Sequence, residues 1–158
     1  MEVICGVIWN CDRIFCARKK KCGSNPGLWE LPGGKLEFGE THDACLKREL
    51  LEELNLSVEV GAKFGSSAFK DSAKTIHLLA YHAQALGHSK LETPGSETSS
   101  TPESFFDFRL VDHDQWAWME VWRLGSLQWA PADVPLIQSL MAFPRLNPFD
   151  GTAGSPLR

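Results

Sequence analysis

Glu52 and Glu53 follow Glu49 by three and four residues in the stretch "CLKRELLEEL". On a helix this spacing projects all three carboxylates within about a 100° arc. Two chemistries are open to such a face. It is a solvated helix surface, where like-charge repulsion costs only a few tenths of a kcal/mol per pair and Lys47 and Arg48 partly offset it. Or it holds a metal. Gly33 and Gly34 stand shortly before it, where a backbone carbonyl can approach an ion because no Cβ interferes. Carboxylate and carbonyl oxygens suit hard Mg²⁺ or Mn²⁺, not Zn²⁺. A cation held this way keeps positions open for substrate phosphates, and it screens their repulsion from an acidic protein.

The elements that must position these groups follow from patterning. Thr41 or Glu40 starts a helix that runs to about Leu54, with Leu46, Leu50 and Leu54 at helical spacing to bury against a sheet. "EVICGVIW" (Glu2–Trp9) and "RIFCARK" (Arg13–Lys19) are β-type runs joined by Asn-Cys-Asp, a hairpin signal. "KCGSNPGL" is a loop. "LSVEVGAKFGSSAFK" and "KTIHLLAYHAQAL" read as strands, as does "QWAWMEV" (Gln115–Val121). "FFDFRLV" is a short strand or the end of a loop. "PADVPLIQSLMAF" (Pro131–Phe143) reads as a terminal helix with Pro131 near its first turn. Strands interleaved with two helices predict a mixed α/β (α+β) domain over residues 1–143. Residues 87–104 are rich in Ser, Thr, Pro and Gly and read as a flexible surface insertion, either decoration or a lid over the site. Residues 144–158 read as an irregular tail.

Composition narrows the class. The 158 residues are 43% hydrophobic and 23% charged, with a formal net charge of −4. That fits one soluble domain and argues against nucleic-acid polymers, which need a basic face. No apolar run approaches the roughly 20 residues of a membrane helix, and no signal peptide is evident. Five cysteines without Cys-x-x-Cys spacing read as reduced thiols of a cytoplasmic protein.

Gly34, Glu40, Arg48-Glu49, Leu50, Glu52-Glu53 and Leu56 stand at the spacings of the signature of the Nudix hydrolases, which this chain resembles. Only Asn55 departs, where the pattern has glycine. "GLWELPGGK", "TIHLLAYHA", "DHDQWAW" and "WAPADVPLIQSLMA" are similar to segments of the MutT-like branch, the CTP pyrophosphohydrolases and 8-oxo-dGTP diphosphatases. The similarity runs from Met1 to about Phe143 and fails over 87–104 and the tail.

The resemblance implies a mixed β-sheet between helices, with the signature forming a loop–helix–loop. It implies hydrolysis of a nucleoside triphosphate, oxidised or a CTP-like pyrimidine, to monophosphate and pyrophosphate with Mg²⁺ or Mn²⁺. Glu49, Glu52 and Glu53 would be metal ligands, with the Gly33 carbonyl a further one and Arg48 orienting the carboxylates. One of the glutamates, or a further acid, would take the proton of the attacking water. Asp112 matches the position of a further downstream acid, and Asp114 competes with it. Lys19, Arg18 and Lys35 are the cations expected near the phosphates, and Lys20 and Lys21 read as a solvated turn. Asp133 falls where an Asn or Asp reads the base edge; an N-terminal Asp is also favoured by a helix dipole. Trp29, with Trp116, Trp118, Trp122 and Trp129, is available to stack on a base or to pack in the core. Gly34, Glu40 and Asn55 would support the signature segment. Asn tolerates a left-handed backbone, so Asn55 is expected to end the helix with φ > 0. His77 and His82 read as structural.

The partner expected is a small nucleotide, without nucleic-acid polymer or membrane, for a monomer or homodimer. Other Nudix substrates, a nucleotide sugar or ADP-ribose, form the nearest alternative; the "PAD" segment and small size favour the triphosphate. A non-catalytic Nudix-fold binding domain is the remaining one, disfavoured because every acidic position is kept.

Overall fold

Strand β1 (Glu2–Asn10) is buried on both of its faces from Ile4 to Trp9. Alternation sends Ile4 and Ile8 into one apolar cluster and Cys5, Val7 and Trp9 into another. A strand apolar on both faces must be covered on both sides. A computed structural model, describing residues 1–86, 106, 108–142 and 147–150, shows what covers them.

The remaining elements are β2 (Arg13–Lys19), β3 (Trp29–Glu30), β4 (Gly33–Lys35), α1 (His42–Leu54), β5 (Val58–Lys70), β6 (Thr75–Ala85), β7 (His113–Glu120), a 3-10 turn over Val121–Ser126 and α2 (Val134–Ala142). The sheet is mixed, in the order β3-β2-β1-β6-β5, with β1 and β6 parallel and β4 and β7 paired to β1 and β2. Helix α1 covers one face through Cys45, Leu46, Leu50 and Leu54; α2 covers the other through Leu136, Ile137 and Leu140. Each of those buried leucines contributes about 1.5–3 kcal/mol. The α+β sandwich expected from the sequence is the fold observed.

Helix α1 begins where capping chemistry starts it: Thr41 Oγ1 accepts from Ala44 N at 3.1 Å. It ends on Asn55, at φ 55° and ψ 37°, while Leu56 N donates to the Leu50 carbonyl at 3.2 Å. Asn55 N donates to the Leu51 carbonyl at 3.0 Å, the five-to-one bond of a left-handed helix ending on asparagine.

Several boundaries differ from the sequence reading. Helix α2 starts at Val134, so Pro131 lies in the preceding turn and not in the first helical turn. Asp133 N bonds back to the Ala130 carbonyl, and its own carbonyl takes the first helical bond, from Ile137 N. "FFDFRLV" yields no strand among its described residues. Phe106 and Phe108 instead join an aromatic cluster with Phe15, Trp116 and Trp118. Strand β7 begins at His113, and β3, β4 and the 3-10 turn were not foreseen; such short pieces carry too little periodicity to read. Part of the tail is ordered: Asn147 Nδ2 donates to the Cys11 carbonyl at 2.8 Å, and Phe149 packs at Gly61. The expected insertion over 87–104 lies outside the described residues.

The five cysteines are free thiols. Among the described residues, no helix is long and apolar enough to cross a membrane.

Candidate active site

The signature segment is organised around Arg48. Its Nε and Nη2 donate to Glu40 Oε1 and Oε2 at 2.8 and 3.0 Å, a two-pronged pair. Its Nη1 reaches Glu49 Oε1 at 2.8 Å and Glu52 Oε2 at 3.4 Å, and Nη2 also donates to the Lys35 carbonyl. One guanidinium therefore ties the helix to the loop that enters it. Its hydrogen bonds hold the Glu40 carboxyl down at about 2. Glu40 Oε2 also accepts from Glu37 N at 3.2 Å, closing the loop on itself.

That loop is built from β4. Gly33 pairs with Cys5 and Gly34 with Ile4. A Cβ on Gly33 would overlap the Ile4 carbonyl, and one on Gly34 would overlap the Glu49 carboxyl. Glycine at both positions is what lets the loop backbone and the Glu49 carboxylate come together.

Glu49 and Glu53 face a cleft of about 570 Å³ shared with Lys19, Glu30, Leu31, Gly33, Gly34, Lys35, Asp71, Lys74 and Asp133. Met1, Val3, Phe69, Ile76 and Leu78 supply apolar wall. Burial chiefly, then the charges of Glu49, Asp112 and Glu30, push the Glu53 carboxyl up to about 8; Lys19 opposes them. Asp133, which also lines the cleft, is 4% exposed, and its Oδ1 accepts from Leu31 N at 2.8 Å. Burial outweighs that hydrogen bond, and with Glu30 nearby raises its carboxyl to about 8.

The structure redistributes several expected site residues. Glu52 is not among the cleft residues; it is exposed, and its Oε2 lies 3.4 Å from the Arg48 Nη1 that also holds Glu49. Arg18 is outside the cleft because Asp114 takes it in a surface pair at 2.8 Å. Strand β7 explains this: the register slips between Arg18 and Lys19, so Gln115 faces Arg18 and His113 faces Lys19, leaving Asp114 as the extra residue. Asp112 is the downstream acid whose charge reaches Glu53. Trp29 is buried in the core around α2, Trp122 is exposed, and none of the tryptophans lines the cleft. Lys19 and Lys35 are at the cleft, as is the Gly33 backbone. His82 accepts from Trp9 Nε1 at 3.0 Å in the core.

Sequence reasoning missed Glu30, Phe69, Asp71, Lys74, Ile76 and Leu78. Glu30, Phe69, Ile76 and Leu78 lie on strands whose patterns name the strand but not which end of it borders a cleft, and Asp71 and Lys74 lie in the turn between β5 and β6. It also missed His113, wholly buried with Nε2 2.7 Å from Glu30 Oε1.

The donor chemistry fits a hard divalent cation. The oxygens of Glu49, Glu53 and the Gly33–Gly34 backbone share one cleft, and clustered carboxylates that repel one another favour a cation between them. Among the described residues, no three His, Cys, Asp or Glu side chains already form a metal-holding group.

Comparison with known proteins agrees on one family. The NUDIX domain family matches residues 2–140. A CTP pyrophosphohydrolase of Escherichia coli (strain K12) is 29% identical over 150 residues, covering 95% of this chain and 98% of its own. An 8-oxo-dGTP diphosphatase of Proteus vulgaris is 41% identical over 61 residues, covering 37% of this chain and 53% of its own. The solution structure of the E. coli ORF135 protein superposes with a TM-score of 0.68 at 29% identity, covering 94% of each chain.

Proposed function

The chain belongs to the Nudix family and is a hydrolase of pyrophosphate bonds, and from that premise we propose that it is a MutT-like nucleoside triphosphate pyrophosphohydrolase. The substrate is a (d)NTP, oxidised or a CTP-like pyrimidine, and the products are the monophosphate and pyrophosphate. The observation that carries this reading is one cleft lined together by Glu49, Glu53, Lys19, Lys35 and the buried Asp133. Relatives named for CTP and for 8-oxo-dGTP support a triphosphate substrate.

Nudix hydrolases generally need a divalent metal, typically Mg²⁺. In this chain Glu49, Glu53 and the Gly33 carbonyl would hold it, with Glu52 and Asp112 as further acids of the set. Bound there, it would neutralise phosphoryl charge and lower the pKa of the attacking water.

The chain's own residues do the rest. Lys19 and Lys35 bind phosphate oxygens and bring the chain of phosphates against the carboxylates. Arg48 keeps Glu49 on the loop side, since its Nη1 donates to that carboxylate at 2.8 Å. Water attacks phosphorus; the P–O bond to the leaving group breaks, and a cleft glutamate, Glu49 or Glu53, accepts the water proton. Asp133 uses the capacity left after Leu31 to meet the base edge. Ionised it accepts from an exocyclic amino group; protonated it also donates. A free nucleotide substrate supports a cytoplasmic location.

The test is product identification with canonical and oxidised triphosphates, nucleotide sugars and ADP-ribose, each with Mg²⁺. Pyrophosphate released from a triphosphate supports the proposal. Turnover of only a nucleotide sugar or ADP-ribose would move the protein to that substrate class. Tight nucleotide binding without any turnover would sink the reaction.

A further inference from the structure

His113 and Glu30 come from strands on opposite edges of β2. Glu30 pairs with Ala17 from β3, while His113 pairs with Lys19 from β7, just past the slip that ejects Asp114. The slip matters because strand side chains alternate faces; inserting Asp114 resets which residue points inward. His113 consequently lies at 0% side-chain exposure with Nε2 2.7 Å from Glu30 Oε1. Its Nδ1 is buried with no hydrogen-bond partner among the described residues. A proton on Nδ1 would have no acceptor, whereas a proton on Nε2 has one, so the tautomer that fits is the Nε2–H form.

We propose that His113 is a positioning residue that fixes the Glu30 carboxylate as a specificity-determining acceptor in the nucleotide cleft. The inference rests on the nucleotide reading of that cleft. Glu30 is one of the cleft residues, and its side chain keeps 20% exposure. Oε1 is held by His113, with Lys19 Nζ 4.0 Å away. Among the described residues no hydrogen bond is recorded to Oε2, which leaves it to accept from a donor on the ligand, an N–H of the base or an O–H of the sugar. Glutamate has three rotatable bonds, and an exposed one loses rotamer freedom on binding. A buried imidazole donor removes that freedom beforehand, so the bound nucleotide meets a fixed acceptor. A ligand lacking the matching donor would leave Oε2 desolvated and unpaired, which is how a positioned acceptor discriminates.

The experiment measures KM and kcat on CTP, dCTP, UTP and dGTP, and the Kd for a non-hydrolysable α,β-methylene analogue of CTP. The proteins are wild type, His113→Phe, His113→Gln, Glu30→Ala and the double variant His113→Phe/Glu30→Ala. His113→Phe should raise KM and Kd about tenfold with kcat changed about twofold at most, and narrow the preference among the nucleotides. His113→Gln, whose amide can donate near the place of Nε2, should recover most of the affinity. In the Glu30→Ala background the phenylalanine should add less than about a twofold change, because its effect passes through Glu30. Effects that multiply, or unchanged affinity and preference in a folded His113→Phe, would overturn the proposal. If His113→Phe does not fold, hydrogen exchange of the wild-type imidazole N–H decides. Protection lost in Glu30→Ala supports the contact, and equal exchange in both refutes it. If no triphosphate is hydrolysed yet the Kd pattern holds, the reaction fails and the positioning role stands. If the wild type binds no nucleotide, both fail.

Discussion

The backbone amide of Val111 donates to the carbonyl of Glu53 at 3.3 Å, just after Arg109 N donates to the carbonyl of Leu54 at 3.0 Å. The last carbonyls of a helix have no partner within it. Here a segment more than fifty residues downstream supplies the donors, and by doing so delivers Asp112 to the side of Glu53. The charge at the heart of the cleft is thus set by a tertiary capping contact.

That crowding makes Glu53 the most informative carboxylate to neutralise. Glu53→Gln should lower kcat by at least about a hundredfold in the presence of Mg²⁺. Its unfolding temperature without metal should not fall, since glutamine replaces a carboxyl whose ionised form is disfavoured by burial and by Glu49, Asp112 and Glu30. Steady-state kinetics and thermal melts check the two halves separately. Full activity in the variant would remove Glu53 from the catalytic set.

The two loop glycines should respond differently. A Cβ on Gly33 meets the Ile4 backbone, which belongs to the central strand; a Cβ on Gly34 meets only the end of the Glu49 side chain. Gly33→Ala is expected to destabilise by roughly 2 kcal/mol or more through strand displacement. Gly34→Ala is expected to fold and to lose activity, because Glu49 must swing away. Denaturant unfolding paired with turnover distinguishes them.

Arg48→Lys keeps the charge and loses the fork. Lysine can hold Glu40 or Glu49 but cannot bond Glu40 through two nitrogens while reaching Glu49 with a third. The expected result is a loss of about tenfold to a hundredfold in kcat with a smaller change in KM. A variant with wild-type kcat would show that the carboxylates need no such brace.

Asp133 should make stability depend on pH. Its carboxyl sits at about 8 in the fold, against roughly 4 in the unfolded chain. Between those values the native state retains a proton that the unfolded state has released. Stability therefore falls as pH rises from about 4 to about 8, by a few kcal/mol at most, and is flat beyond. Asp133→Asn preserves an oxygen for Leu31 N and does not titrate, so its unfolding free energy should decline less across that window. Parallel slopes for the two proteins in urea melts would contradict the assignment.

Asn55 at φ 55° tolerates what a side chain branched at Cβ does not. Asn55→Gly should be neutral or slightly stabilising, and Asn55→Val should cost about 1 kcal/mol or more. Chemical denaturation of the three proteins is sufficient. Activity of the folded Asn55→Gly protein should match wild type.

What the sequence by itself determined is local. Thr41, the leucines at helical spacing and Asn55 define α1 with its buried and acidic faces, because helix geometry fixes which residues within a few turns share a side. The β-type runs of β1 and β2 were legible in the same way, while the helices on both faces of their sheet followed only from the family resemblance. The loop glycines and Arg48–Glu49 were legible for the same reason, being close along the chain. What only the tertiary structure decided is every contact between residues far apart in sequence. It placed Asp112 beside Glu53, withdrew Arg18 and Asp114 into a surface pair, buried Trp29, and set His113 under Glu30. A single slipped residue in β7 produced two of those outcomes. Composition and spacing cannot reveal a register slip, because strand alternation reads the same whichever face is inward until the neighbouring strand is in place.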